Sequence, residues 1–435
     1  TAAAPRAGRD DEKTMQTTPR PQLALVLVAV ALGLTFAGLS SYDSMQHLDR
    51  QLHEVHCSFV PGLSGAPGDN PCRTAMYSSY SALFRGTFWG GIPIALLALG
   101  VYAFFGAFAV ALWVAGQGAS RRAYQFLAVA ASGPLLVSIV MAVISAAKLG
   151  TFCRTCVGLY VASIFLAVGA LWAWRAGQGG APGHGPGYGP GGERLDAATT
   201  TRWQVGGGAS PATVLGWLAA LGACVLLPAV VYVAVLPDFS GRIEKCGELP
   251  QAAEGAKALL KLPTAHPRRA MTLFVDPLCP TCKALHLRLD TEGAMENLDL
   301  RVALLPLDSD CNWMVDRSVH QGSCLLSRAL ICNEGQAREA LDWMYANQDE
   351  LARLGKAGEG QLKVKLRERF GADLAKCLDA RPTKVRLNGV LQYAVTNHVP
   401  VSTPQVYLGE RRVCDEDTDL GLRYTLSRLA PEVLQ

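Results

Sequence analysis

The chain has 435 residues, half of them hydrophobic and 17% charged, with a formal net charge of +4. That length allows two or three domains, the composition excludes a disordered chain, and so small and scattered a charge gives no footing for nucleic acid. The average conceals a division. Of the first 240 positions 24 carry charge, against 52 of the last 195, and the second density is ordinary for a water-soluble domain. A membrane part is joined to a soluble part.

In chain order, residues 1–21 form a tail with Arg6, Arg9, Lys13 and Arg20. Five apolar runs follow: Gln22–Tyr42, Gly86–Val114, Tyr124–Ala147, Thr155–Trp174 and Pro211–Leu236. None contains Lys, Arg, Asp or Glu, and each reaches the ~20 residues that a helix needs to cross the hydrocarbon core. The first run is longer than the ~7–15-residue apolar core of a signal peptide and lacks a small-residue cleavage site, so it reads as a retained helix. The first four runs define a bundle over residues 22–174, and the fifth spans 211–236. Between them, residues 175–210 form a glycine-rich tether in which His184 and Tyr188 read as solvated.

Basic residues near the span ends set orientation. The tail, Arg121 and Arg122, and Arg175, Arg194 and Arg202 fall on one side, expected to be the cytoplasm. The opposite side holds fewer: Arg50, Arg73, Arg85, Lys148 and Arg154. The Asp43–Arg85 loop, the Lys148–Arg154 turn and the soluble residues 237–435 then lie outside.

Twelve of the 13 cysteines fall on that outer side, where disulfides persist. Cys224 lies within a span and reads as a small buried hydrophobe. Three groups have chemical spacing: Cys57 with Cys72 in the first outer loop, Cys153-Arg-Thr-Cys156 at the start of the fourth span, and Cys279-Pro-Thr-Cys282 after the apolar run Met271–Val275. Two cysteines three apart at a helix start suit dithiol–disulfide exchange, because the first thiol meets the positive end of the helix dipole and the second closes the disulfide. A c-type haem would need His where Val157 and Lys283 stand, and no ribbon pattern supports zinc, so no metal is expected. His56, beside Cys57, reads as a solvated loop imidazole. Cys246, Cys311, Cys324, Cys332, Cys377 and Cys414 make an even set with fifteen pairings, in which Cys311 is near enough to pair with Cys324 or Cys332.

With these motifs the chain resembles a bacterial vitamin K epoxide reductase homologue fused to a thioredoxin-like, DsbA-like domain. The resemblance implies an α-helical membrane bundle, four core helices plus a fifth linking helix, followed by an α/β thioredoxin-like domain with a helical insertion. It assigns the loop pair to Cys57 and Cys72, with 14 residues between them where the family has only a few, and the membrane pair to Cys153 and Cys156. It places Ser78 and Tyr160 at quinone-lining positions and the family's small-residue turn at Gly90-Gly91-Ile92-Pro93. In the soluble part it implies a strand at Met271–Val275, a helix from Cys279 through Leu289, a strand at Leu298–Leu305, helices within Arg317–His398 and a closing helix at Gly421–Leu429. Thr403-Pro404 matches the cis-proline strand start and is expected beside Cys279.

The implied activity is that of a protein-thiol:quinone oxidoreductase of a bacterial cell membrane, its redox cysteines extracytoplasmic. Electrons from reduced exported proteins would pass through Cys279/Cys282, the loop pair and Cys153/Cys156 to ubiquinone or menaquinone. Two other readings stay open: a relay running outward as a disulfide reductase or isomerase, and a membrane-tethered metal-binding protein using its CxxC pairs.

Overall fold

The computed structural model describes residues 20–49, 55–59, 71–116, 119–177, 210–243, 245–253 and 255–435. Arg6, Arg9, Lys13, Arg50, His184, Tyr188, Arg194 and Arg202, with most of the tail and tether, lie outside the described residues. The chain divides into two compact units.

The first unit is built from long apolar helices: α1 (Arg20–Gln46, through Ser40), then, after α2 and two short strands described below, α3 (Ile94–Ala115), α4 (Arg121–Ile144), α5 (Arg154–Ala176) and α6 (Pro211–Val235, through Val230). All five are long and apolar enough to cross a membrane, and a helix satisfies its backbone groups within itself, as hydrocarbon demands. Small residues let the helices close on one another. A Cβ added at Gly33 would lie 2.3 Å from the Tyr102 ring, one at Gly158 would lie 2.5 Å from Phe36, and one at Gly100 would lie 2.1 Å from the Cys224 carbonyl oxygen. Cys224 is therefore not the buried hydrophobe expected: it is half-buried, and its backbone makes the close approach. The Tyr102 hydroxyl donates to the Leu159 carbonyl at 3.2 Å and shares a 2.9 Å bond with Ser163, which also takes a 2.9 Å bond from Ser138. Outward, α4 exposes Val129, Leu136, Val137, Ile139, Val140 and Val143, a face that water would penalise and lipid accepts.

The expected second span is corrected at its start. Residues 86–93 are not helical: β1 (Ala82–Leu83) pairs antiparallel with β2 (Ile92–Pro93), and α3 begins only at Ile94. Gly90 and Gly91 turn the chain with φ of 72° and 73°, and a Cβ on Gly91 would meet the Leu83 carbonyl at 2.6 Å.

The second unit contains the described parts of 41–57 and 63–94 together with 231–435. Its sheet has the order β3-β5-β4-β6-β7, from β3 (Leu260–Leu262), β4 (Arg269–Val275), β5 (Leu298–Leu304), β6 (Gln405–Leu408) and β7 (Arg411–Val413). Only β4 and β5 are parallel, joined by α7 (Pro280–Thr291). Six helices are inserted before β6: α8 (Ser323–Cys332), α9 (Ala337–Ala346), α10 (Gln348–Ala357), α11 (Glu359–Phe370), α12 (Leu374–Asp379) and α13 (Arg381–Thr396). α14 (Leu422–Leu429) follows β7, and the Thr403–Pro404 bond is cis. This is the thioredoxin-like fold with a helical insertion. Central β4 is apolar on both faces, as a covered sheet requires: Met271 and Leu273 pack among Leu285, Leu289 and Leu326, while Phe274 stacks on Tyr393 at 5.9 Å.

The described part of the segment between α1 and α3 is fastened to this fold by specific bonds. α2 (Pro71–Tyr77) ends at a carbonyl that accepts from Arg288 Nε at 2.9 Å, and the same buried guanidinium donates to the Thr418 carbonyl. Trp89 Nε1 donates to Asp417 at 2.7 Å, and Ser427 donates to the Gly86 carbonyl at 2.8 Å. Three disulfides resolve the pairing of the six further cysteines: Cys246–Cys414, Cys311–Cys324 and Cys332–Cys377. Cys311 takes Cys324, not Cys332.

Gly33→Ala tests the helix contact in the first unit. Alanine gains about 1 kcal/mol of helix propensity, but overpacking costs about 1–3 kcal/mol, and the obstacle is a rigid ring 2.3 Å away. A lower unfolding midpoint in detergent is expected, with Tyr102→Leu restoring part of the loss.

Candidate redox centres

Two of the three cysteine pairs share one local design. In the soluble domain Cys279 is the N-cap of α7, with Pro280 at the first helical position, where its missing N–H costs nothing. Cys279 and Cys282 are both buried. The Cys279 sulfur lies 2.9 Å from Thr281 Oγ1 and 3.4 Å from the Thr403 carbonyl, which also accepts from Thr281 at 3.2 Å. The expected neighbourhood of Cys279, Cys282, Thr403 and Pro404 is thus assembled. The Cys282 thiol beside it, then Thr281 and Thr403, hold the Cys279 thiol down at about 6 against the opposing effect of burial. Burial, then the Cys279 charge, pushes Cys282 well up. One thiolate and one neutral thiol is the division that exchange requires.

In the membrane unit Cys153 is the N-cap of α5, and its sulfur accepts from the Cys156 N–H at 3.2 Å. It also lies 2.9 Å from Thr155 Oγ1, matching the Cys279–Thr281 contact. The Cys156 thiol, with Thr155 behind it, holds Cys153 down to about 7 against burial. One turn further along α5 stands half-buried Tyr160.

The third pair, Cys57–Cys72, is a disulfide with both residues buried and Cα atoms 5.5 Å apart. The end of α1 and the residue just beyond it hold both sides of it. Buried Asp43 takes the His56 backbone N–H at 2.9 Å and its Nδ1 at 2.5 Å. His47, one turn on, donates Nδ1 to the Asp43 carbonyl at 2.7 Å and accepts from the Tyr77 hydroxyl at 3.0 Å, on the helix that carries Cys72. His56 is therefore not a free loop imidazole, which corrects the expectation. Ser78 follows α2, and its hydroxyl donates to the Ala75 carbonyl at 2.7 Å. Ser78 belongs to the second unit and Tyr160 to the first.

Several residues that support the soluble centre were not picked out in the sequence. Asp276 is fully buried; its carbonyl accepts the Cys279 N–H at 3.0 Å, and its carboxylate accepts from the N–H groups of Leu278 and Leu307, both at 2.7 Å, and from His320 Nδ1 at 2.9 Å. Gln348 Nε2 donates to the carbonyls of Pro277 and Cys279 at 3.0 and 3.1 Å. An acid three residues before a redox cysteine is a visible signal, whereas His320 and Gln348 come from distant segments with none.

A helix-capping, thiolate-favouring CxxC on a thioredoxin-like sheet, joined to a second such CxxC on an apolar helix, defines a membrane thiol oxidoreductase. Residues 24–171 match the model of the Vitamin K epoxide reductase family, and the chain carries a domain of that family followed by its thioredoxin-like domain. No curated protein matches the chain. Among solved structures, the oxidoreductase DsbA from Xylella fastidiosa is similar at 19% identity, covering 40% of this chain and 94% of its own, with a TM-score of 0.30. The oxidoreductase NmDsbA1 from N. meningitidis is similar at 16% identity, covering 45% and 96%, with a TM-score of 0.31.

In the reduced protein, alkylation of Cys279 should rise with pH through a midpoint near 6, while Cys282 stays unreactive to far higher pH. A depressed thiol value stabilises the folded reduced form above the unfolded value of 9.0, and that contribution fades as pH falls toward about 6. Peptide-resolved iodoacetamide labelling measures both midpoints.

Proposed function

We propose that this protein oxidises the thiols of exported proteins and passes the electrons to a membrane quinone, making disulfides outside the cytoplasm of a bacterial cell. The observation that carries the reading is the paired design: the same Cys-x-Thr-Cys helix start stands once on a soluble fold and once on an apolar helix. The loop disulfide Cys57–Cys72, which precedes both in the chain, supplies a third pair.

In this reading a client thiolate attacks Cys279 of the oxidised pair and displaces Cys282 as the leaving sulfur. A second client thiol resolves the mixed disulfide, leaving a client disulfide and two reduced cysteines. Cys279 then attacks the loop disulfide at Cys57, displacing Cys72, and Cys282 resolves that intermediate. Cys72 attacks Cys153 of the oxidised membrane pair, displacing Cys156, and Cys57 resolves it in turn. Each substitution forms one S–S bond and breaks one, and each completed exchange moves one electron pair. The quinone, when bound, supplies the two-electron acceptor.

The residues around Cys156 suit a quinone head. Cys156 and Tyr160 lie one turn apart on an apolar helix, both half-buried, so a thiol and a phenolic donor share one face. Tyr160 would donate to the quinone carbonyl; Ser78, which the resemblance also names, lies in the other unit. The reading places the redox cysteines on the extracytoplasmic side, as the basic residues of the chain suggest.

The deciding experiment is quinol formation by the purified protein in detergent, driven by a reduced unfolded client. Catalytic turnover is expected, and Cys156→Ser should abolish it while accumulating a Cys72–Cys153 mixed disulfide. A client oxidised with no quinol formed would overturn the acceptor.

Tyr160→Phe keeps the ring and removes the donor. Losing one hydrogen bond to developing negative charge costs ~2.7–4 kcal/mol, or ~10²–10³ in rate, so quinol formation should slow by that order. Exchange between Cys279 and Cys57, followed separately by stopped flow, should keep its rate.

A further inference from the structure

A fully buried carboxylate beside a reactive thiolate is a problem in electrostatics, since a second negative charge in a low-dielectric site is disfavoured. Asp276 brings that problem to the redox dithiol, its charge acting on Cys282 and its carbonyl taking the Cys279 N–H, and the segment between β5 and α8 answers it. Leu307 and His320 lie at opposite ends of this segment, yet both donate to the same carboxylate oxygen, Asp276 Oδ2, at 2.7 and 2.9 Å. The segment is closed on itself. The Val319 and His320 N–H groups donate to the Leu307 carbonyl at 2.8 and 3.1 Å. Buried Asp308 gathers Ser318 Oγ at 2.7 Å, the Gly322 N–H at 2.9 Å and the Cys324 N–H at 3.3 Å. The Cys311–Cys324 disulfide closes it covalently.

Building on the redox reading above, we propose that residues 307–324, stapled by Cys311–Cys324, are a tuning arm for the redox dithiol. The arm seats the His320 imidazolium on the Asp276 carboxylate, so that its positive charge stands near the Cys279 thiolate. His320 is then a positioning residue that acts on Cys279 without touching the client.

The charged and titratable groups facing His320 are Asp276, Cys279 and Asp308. Burial alone would lower the imidazole, but the hydrogen bond and charge of Asp276, with Cys279 and Asp308, outweigh it and raise His320 above its ordinary value. The thiolate forms above about 6, so thiolate and imidazolium coexist from there up to the raised His320 value. Above that value the imidazolium loses its proton and Asp276 stands uncompensated. A thiolate so stabilised favours the reduced dithiol, which makes the corresponding disulfide a stronger oxidant. The Cys311–Cys324 bridge of the arm thus has a functional output as well as a structural one.

The test uses the full chain in detergent, reduced under conditions in which mass spectrometry shows Cys311–Cys324 still bridged. His320→Asn keeps a donor for Asp276 and removes the charge. The pH midpoint of Cys279 alkylation should rise by about one unit or more. Cys311→Ser/Cys324→Ser should reproduce the shift, and combining it with His320→Asn should add nothing, because both act through one contact. Cys332→Ser/Cys377→Ser, a bridge outside the arm, should leave the midpoint in place. An unchanged midpoint in His320→Asn, or additive shifts in the combined variant, would overturn the tuning arm. Absence of a low midpoint in the unsubstituted protein would instead sink the redox reading on which it rests.

Discussion

Disulfide exchange requires a thiolate to reach a disulfide sulfur directly, and the bond it makes is only ~2 Å long. Much of the organisation of this chain follows from that contact. A protein that handles electrons between soluble thiols and an apolar phase must carry cysteine pairs in both, and each pair needs a way to hold one sulfur as the anion. Here the same solution is used twice. The first cysteine caps a helix, a threonine hydroxyl two residues later sits 2.9 Å from its sulfur, and the second cysteine lies one turn in. The helix dipole favours the thiolate in either phase, so the design tolerates the change of solvent.

The segment between the first two apolar helices meets a different constraint. Among its described residues, those outside α2 and the short β1–β2 pair have no ladder, and their polar groups are satisfied one by one. Arg288 and Ser427 of the thioredoxin-like domain do this for the Tyr77 and Gly86 carbonyls, and Asp417 accepts from the Trp89 indole. Arg288 is buried and serves two carbonyls at once, a use to which the planar guanidinium is suited. Asp43 and His47 at the end of α1 hold the stretches beside Cys57 and Cys72. The loop disulfide is thus positioned by polar contacts, where the bundle relies on small residues and close helix approach.

Much of this was legible. Five charge-free runs gave five helices, because length and apolarity alone decide what can cross hydrocarbon. The strand–Cys-x-x-Cys–helix unit and the cis Thr403–Pro404 were local patterns, and they appear where expected. The start of the second span was misplaced because Gly86–Pro93 is as uncharged as a helix, and hydropathy does not register the backbone geometry that Gly90 and Gly91 impose. His56 was misjudged because its partner lies thirteen residues away on a membrane helix. The support from Gln348 was invisible for the same reason, with its acceptors about seventy residues distant.

The sequence by itself determined the two solvents, the helix-start dithiols and the cysteine inventory, since each depends on composition or on spacing within a few residues. Tertiary structure alone decided which structural cysteines pair. It also decided that the segment between α1 and α3 is bonded to the thioredoxin-like domain and that a histidine 44 residues away answers the Asp276 carboxylate. Those outcomes turn on sulfurs and charges that meet only when separate elements pack, and burial, which sets the strength of each such contact, is a property of the folded chain.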